Sequence, residues 1–447
     1  MTPSGLPVTL PLIRNCLEGI VPSVLATADP AGMPNVSMIS HVQYVDPEHV
    51  ALSYQFFNKT RRNLLATRLA SVAVVDPDTD AQYRLAIEYV ETQTSGPLYE
   101  VMKAKLAGIA SHAGMQAVFR LLGSDVFRVL SIEEMPSRIV PQRIGCNLLS
   151  AARRTCDQIG ATRDLGDLFD AVLAGMQQHF GIEHAMVMMH DEIEGRLYTV
   201  ASRGYPVSGI GSEVHLGEGV IGVAAQQGVP IRVGHMSSEY SYGAAVLDSA
   251  RAAGLNWPGD TAIPYPGLAA PQSQIAMPII RCGKTIGVLF AESPEPNQFG
   301  YDEEDALSLV AGQLSALIAV LQEEGETEPE PVPAVADAGG GGEIRMRHYA
   351  ADNTVFVGHD YLIKGVAGAI LWKIAGEHAA SGRVEFTNRE LRLDPALRLP
   401  EFAENLEARL VLLQRRLAER EAGIRIDKCG RGRFRLVVDG PLSLEEV

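Results

Sequence analysis

Residues 322–342 divide the chain. Gln322-Glu323-Glu324-Gly325-Glu326-Thr327-Glu328-Pro329-Glu330-Pro331 is acidic and then Pro-rich, and the stretch ends in Gly339-Gly340-Gly341-Gly342. Too little apolar surface is on offer there to offset the entropy of ordering, so residues 323–343 are expected to be a flexible tether. The tether sets a tail, 344–447, apart from a long N-terminal part. For 447 residues, a prior of ~150 residues per domain gives roughly three domains.

Charge is unevenly shared. The net charge is −16, yet residues 343–447 hold 17 basic against 16 acidic residues, leaving 21 against 38 for the rest. The N-terminal part would repel nucleic acid, and only the tail could approach it. No run reaches the ~18–20 apolar residues that cross a bilayer. The N-terminus lacks a basic region followed by an apolar one, so a cytoplasmic protein without membrane contact is expected. Cys16, Cys146, Cys156, Cys282 and Cys429 are scattered and odd in number, which fits a reducing compartment without disulfides and predicts no metal site.

The first segment, 1–140, reads as short strands with turn signals every 8–12 residues, the pattern of a small barrel. Asp29-Pro30-Ala31-Gly32 is a turn, Asn35 to Val45 alternates as one half-buried strand, and Val50 to Gln55 is another. Phe56-Phe57-Asn58-Lys59-Thr60-Arg61-Arg62-Asn63-Leu64 follows. Three cations, a hydroxyl and two carboxamides in six positions suit one compact anion such as a phosphate monoester; a solvated basic helix start is the alternative. Ser71 to Asp76 and Tyr83 to Thr92 are further strands, Pro97 to Leu122 is helical, and Val126 to Leu130 closes the set.

The Ala28–Ser37, Phe56–Leu64 and Ser71–Asp76 blocks together resemble the pyridoxamine 5′-phosphate oxidase-like, FMN-binding split-barrel family. The resemblance implies FMN as cofactor and a homodimer with the cofactor at the subunit interface. It implies that Lys59, Thr60 and Asn63 hold the phosphate with Arg61 or Arg62 assisting, and that Ser37, Met38, Ile39, Ser40, Ser53, Tyr54 and Gln55 run beside the ring. A C-terminal strand with substrate-binding Arg and His has no counterpart here, so oxidation of pyridoxamine phosphate is not expected. His41 and Tyr54 are the nearest acid–base candidates.

Residues 145–322 read as a helix, two strands, a Gly-bounded helix at Gly217–Pro230, a hairpin at Ile275–Ser293 turning at Cys282-Gly283, and a final helix. Asp164 with Asp167 marks a helix N-cap. This order resembles a GAF domain, which implies an antiparallel sheet between helices and either a small-molecule ligand or dimerisation. The histidines show no metal-ligand spacing.

The tail reads as short strands, helices at Gly368–His378 and Leu399–Glu421, and a hairpin at Ile424–Leu436. Leu406, Leu410, Leu413 and Leu417 form an apolar stripe with the arginines outside it. The basic helix and Gly-Arg-Gly-Arg hairpin resemble the winged-helix DNA-binding domain of OmpR-type response regulators. That implies Arg409, Arg415 and Arg416 in a DNA groove and Lys428, Arg431 and Arg433 on phosphates; docking onto protein is the alternative. The fold class expected is multidomain α+β: split barrel, GAF, winged helix. The function expected is a flavin-binding sensor with a DNA-binding output, or an FMN-dependent oxidoreductase carrying regulatory domains.

Overall fold

The computed structural model describes residues 8–17, 23–39, 41–54, 58–77, 79–96, 98–103, 121–137, 147–234, 263, 265–324, 342–395, 397, 406–430 and 432–447. In the first domain, seven strands form one antiparallel sheet in the order β2-β1-β5-β6-β7-β4-β3. They are β1 (Ser23–Ala28), β2 (Pro34–Ile39), β3 (Val42–Asp46), β4 (His49–Tyr54), β5 (Leu69–Val75), β6 (Gln82–Gln93) and β7 (Gly123–Met135), with α1 (Asn58–Thr67) joining β4 to β5. Register shifts between β6 and β7 at Ala86/Ile87 and Tyr89/Glu91 bend the two longest strands, as bulges do, and curl the sheet round its core. Leu25, Ile39, Leu52, Val72, Leu85 and Phe127 fill that core, covered by the 3-10 helix Leu10–Leu17.

The single strand expected over Asn35–Val45 is two strands, β2 and β3, at opposite edges of the sheet. Ile39 and Val42 both face the core. An odd spacing of inward residues breaks a two-residue alternation, so the chain must turn between them. The helix expected over Pro97–Leu122 falls largely outside the described residues.

The second domain has one six-stranded antiparallel sheet, β10-β9-β8-β13-β12-β11. Its strands are β8 (His184–Asp191), β9 (Arg196–Arg203), β10 (Glu213–His215), β11 (Ile231–Val233), β12 (Ser273–Arg281) and β13 (Lys284–Ser293). Helices α2 (Leu148–Gly160), α3 (Leu165–Phe180) and α5 (Tyr301–Glu324) cover one face, and α4 (Gly219–Gln227) the other. Asp164 caps α3 by accepting the Asp167 N–H at 2.9 Å, as its sequence pattern predicts. Gly222 of α4 could carry no side chain, because a Cβ there would lie 2.1 Å from the His215 carbonyl oxygen. Residues Tyr301–Gln322 of α5 are long and apolar enough to cross a membrane, contrary to the sequence expectation. Leu307, Val310, Leu314 and Ile318 on that helix are nevertheless buried in the domain's own core.

The C-terminal domain sets a four-stranded sheet, β16-β15-β14-β20, beside a three-stranded one, β17-β19-β18. Its order is β14 (Ile344–Tyr349), β15 (Thr354–Val357), β16 (Asp360–Ile363), α6 (Gly365–Ser381), β17 (Glu385–Thr387), α7 (Asn388–Leu393), α8 (Leu406–Glu419), β18 (Ile424–Gly430), β19 (Arg433–Val438) and β20 (Leu442–Glu446). The final strand returns to pair in parallel with β14, closing the domain on itself.

The leucine stripe of α8 is buried as expected, but its arginines are not all outside. Arg409 and Arg416 are also buried, because α8 is wedged between its own domain and the second one. A continuous apolar cluster runs from Leu168, Phe169 and Val172 of α3 to Leu406, Leu413 and Leu417 of α8. The Arg409 guanidinium lies 2.6 Å from the Asp191 carboxylate and 3.9 Å over the Tyr198 ring. Arg415 donates to the Val200 carbonyl at 2.9 Å, the Gly166 carbonyl at 3.1 Å and Asp170 at 2.9 Å.

Side-chain exposure separates these ties: 6% and 2% for Arg409 and Asp191, against 69% for Asp170. Removing one partner of a buried pair strands the other, at a cost of about 3–5 kcal/mol; an exposed pair contributes at most about 1 kcal/mol. Urea denaturation is expected to show Asp191→Ala losing several-fold more stability than Asp170→Ala. Equal losses would contradict the buried pairing.

Candidate functional site

The basic corner after β4 draws Arg61 into the sheet and leaves Lys59 and Arg62 exposed. Thr60 is buried at the start of α1, its Oγ1 2.6 Å from Ser37 Oγ and accepting from Asn35 Nδ2 at 2.8 Å. Asn63, one turn on, is buried and donates to Thr27 Oγ1 at 3.2 Å. Arg61 makes a two-pronged contact with Asp125, both oxygens at 2.8 Å, donates to Thr92 Oγ1 at 2.9 Å and lies 4.0 Å over the Tyr54 ring. Its charge is therefore satisfied inside the sheet. Lys59 is exposed beside the Thr60 hydroxyl, and Arg62 is exposed as well. An oxyanion arriving at this corner would meet Lys59, the Thr60 and Ser37 hydroxyls and the N-terminal amides of a ten-residue helix. That donor set fits a phosphate.

The other residues read as ring-lining separate. Met38 is 61% exposed on the face opposite Ser37, whereas Ile39 and Ser53 are buried. Tyr54 is half-buried beneath Arg61. His41 is buried with Nε2 3.1 Å from Gln43 Oε1. Ser40 and Gln55 lie outside the described residues. The void between Ser53, Tyr54, Thr60 and Asp125 is about 10 Å³, space for one water at most. No flat ring enters there within one chain. The outer face of β1 and β2 is open and apolar, with Val24, Val36 and Met38 exposed.

Of the residues read as DNA-contacting, Arg409, Arg415 and Arg416 point into protein. Arg416 donates to the Leu362 carbonyl at 3.1 Å through two nitrogens and pairs with Glu419 at 3.0 Å. While the domains are docked, these three cannot reach a groove. Lys428 stands 3.9 Å from Asp164, Arg433 is half-buried, and Arg431 lies outside the described residues. A cleft of about 310 Å³ separates α3 from α8 and β18, bordered by Asp164, Asp167, Asp170, Glu407, Arg415 and Lys428. No group of His, Cys, Asp or Glu among the described residues could hold a metal ion.

Sequence reasoning missed Asn35, Asp125 and Thr92 at the corner and Asp191 at the docking surface. Asp125 interrupts an otherwise apolar strand start, Gly123-Ser124-Asp125-Val126-Phe127, and that interruption was the available signal. Asp191, at the end of β8, carried none.

Residues 10–123 match a family model described as pyridoxamine 5′-phosphate oxidase, and residues 162–319 match one described as GAF domain. The chain thus carries a β-rich, split-barrel-like domain of the first family followed by a GAF domain. Among solved structures it is similar to the GAF domain of an Acinetobacter phosphoenolpyruvate-protein phosphotransferase, at 22% identity over 40% of this chain and 97% of that one, with a TM-score of 0.31. It is also similar to an FMN-binding protein from Syntrophomonas wolfei, at 18% identity over 28% of this chain and 88% of that one, with a TM-score of 0.24. No curated protein matches the chain.

Burial pushes the Glu407 carboxyl up to about 7, against opposing pulls from Lys428, Arg392 and the Asn388 amide. The folded state thus holds a proton that the unfolded chain releases near its ordinary value of 4.5. Stability from this group is full below that value and is lost as pH rises towards 7. Thermal unfolding of Glu407→Gln should show a flatter decline between pH 5 and 7.5 than the parent. An unchanged slope would place the decline elsewhere.

Proposed function

We propose that this is an FMN-binding regulatory protein of the cytoplasm, in which a flavin-bearing split barrel and a GAF ligand sensor control a C-terminal winged helix. The observation that carries the flavin half is the corner at α1: an exposed Lys59, followed in sequence by a buried Thr60 whose hydroxyl meets that of half-buried Ser37, at a helix N-terminus. Lys59, Thr60, Ser37 and the first α1 amides would hold the phosphate, while Arg61, committed to Asp125, would brace the corner. FMN would supply redox chemistry and colour. The absence of room for the ring inside one chain, with Val36 and Met38 exposed on β2, supports a homodimer whose second copy covers the ring. His41 is turned into the core against Gln43 and Tyr54 lies under Arg61. Neither offers a proton to an open surface, which favours a regulator over an oxidoreductase.

The output half rests on element order. A helix, a short strand, two helices and a hairpin, with the short strand pairing the hairpin, support the winged-helix reading. Its second-to-third-helix face is occupied by the GAF domain, so nucleic-acid binding is assigned to an undocked form.

As-purified protein is expected to be yellow. Lys59→Ala with Thr60→Ala should weaken FMN binding about tenfold or more, since each lost charge-assisted hydrogen bond costs roughly 1.5–3 kcal/mol, while the domain stays folded at a stability cost of about 1–3 kcal/mol for the lost Thr60 bonds. Undiminished flavin occupancy would refute the assignment. Asp170→Ala with Glu213→Ala, which loosens the Arg415 and Lys364 ties, should raise affinity for duplex DNA severalfold at low salt. No gain would sink the output half.

A further inference from the structure

The sheet face opposite α3 and α5 ends in a polar row. His184 of β8, Glu292 of β13 and Gln274 of β12 stand directly opposite one another on adjacent strands. Two residues along on the same face come Met186, Phe290 and Ala276, which pack under α4. The row therefore closes off an apolar layer, where buried polar groups are costly unless they have partners.

Glu292 is 1% exposed and Gln274 4% exposed. The carboxylate accepts the Leu268 N–H at 2.7 Å on one oxygen and Gln274 Nε2 at 3.0 Å on the other. No Lys or Arg among the described residues pairs with it. Gln274 Oε1 and His184 Nδ1 are buried and have no hydrogen-bond partner among the described residues. A cavity of about 170 Å³ adjoins the row. It is bordered by His184, Glu292, Glu183, Glu295, Gln298 and Phe299, without a Lys or Arg. One water needs only ~10–15 Å³ of such space, so the cavity has room for an organic group of several heavy atoms.

We propose that this end of the GAF sheet binds a small organic cation, its ammonium or guanidinium group on the Glu292 carboxylate and a further N–H donor on His184 Nδ1, while Gln274 holds the carboxylate from behind. Three features converge on that chemistry. A buried carboxylate without a countercharge is stabilised most by a cation. A buried ring nitrogen without a partner, His184 Nδ1 on a residue that borders the cavity, can accept an N–H of such a cation. Carboxylates alone among charged groups border the cavity, which repels anions. Phe299, the aromatic residue at the cavity border, suits an alkyl chain or a planar guanidinium. The site lies in another domain from the flavin corner and does not depend on it.

The test is a thermal-shift and calorimetric titration of the full chain with methylguanidine and n-butylammonium, with 1-butanol and acetate as controls at equal ionic strength. A saturable rise in melting temperature is expected with one or both cations and with neither control, and Glu292→Gln should weaken the response at least tenfold. If that variant does not fold, His184→Phe keeps the carboxylate, removes one acceptor at the cavity and should weaken cation binding severalfold. No saturable response to either cation, or a response unchanged in these variants, overturns the proposal.

Discussion

Docking of the C-terminal domain turns on one buried ion pair, Arg409 with Asp191. Two charges withdrawn from water are each expensive, and their mutual attraction offsets that expense only with good geometry and further contacts. Here the guanidinium has both: a carboxylate at 2.6 Å and an aromatic face at 3.9 Å. Around it, apolar residues of α3 and α8 share one cluster, so parting the domains would expose apolar surface and two charges together. The interface resembles a core more than a surface contact. The helix spends Arg409 and Arg415 on carboxylates and backbone carbonyls of the neighbouring domain and Arg416 on its own.

The same use of cations governs the basic corner at α1. Arg61 is fixed by Asp125, Thr92 and the Tyr54 ring, so it shapes the strand-to-helix turn. Thr60 and Asn63, both buried, fasten α1 to β2 and β1. With these residues holding the backbone, the helix N-terminus and Lys59 are presented at a defined place. Positioning and binding are thus divided among neighbours in a single motif, which composition alone could not separate.

Much of the architecture was legible in the sequence because it rests on local chemistry. Asp164 as a cap, the Cys282-Gly283 turn and the Leu406–Leu417 stripe each have short-range causes, and each is present. What was not legible depends on distance along the chain. Nothing near Arg61 announces Asp125, 64 residues away, and nothing near Arg409 announces Asp191. The β2–β3 break was missed because small polar residues at Ser37, Ser40 and His41 mimic alternation across a turn. The polar row of the GAF sheet exists only through strand register: His184, Gln274 and Glu292 are remote in sequence and adjacent across three strands.

Whether the output helix is held against the GAF domain in solution is the claim on which the regulatory account depends. It is tested most directly by an electron-spin distance measurement on the full chain, with native cysteines replaced, one nitroxide at the exposed Glu192 turn and one at the exposed Asp427 of β18. A single narrow distance distribution at the docked separation is predicted. A broad distribution reaching beyond it, with no docked peak, would contradict the account.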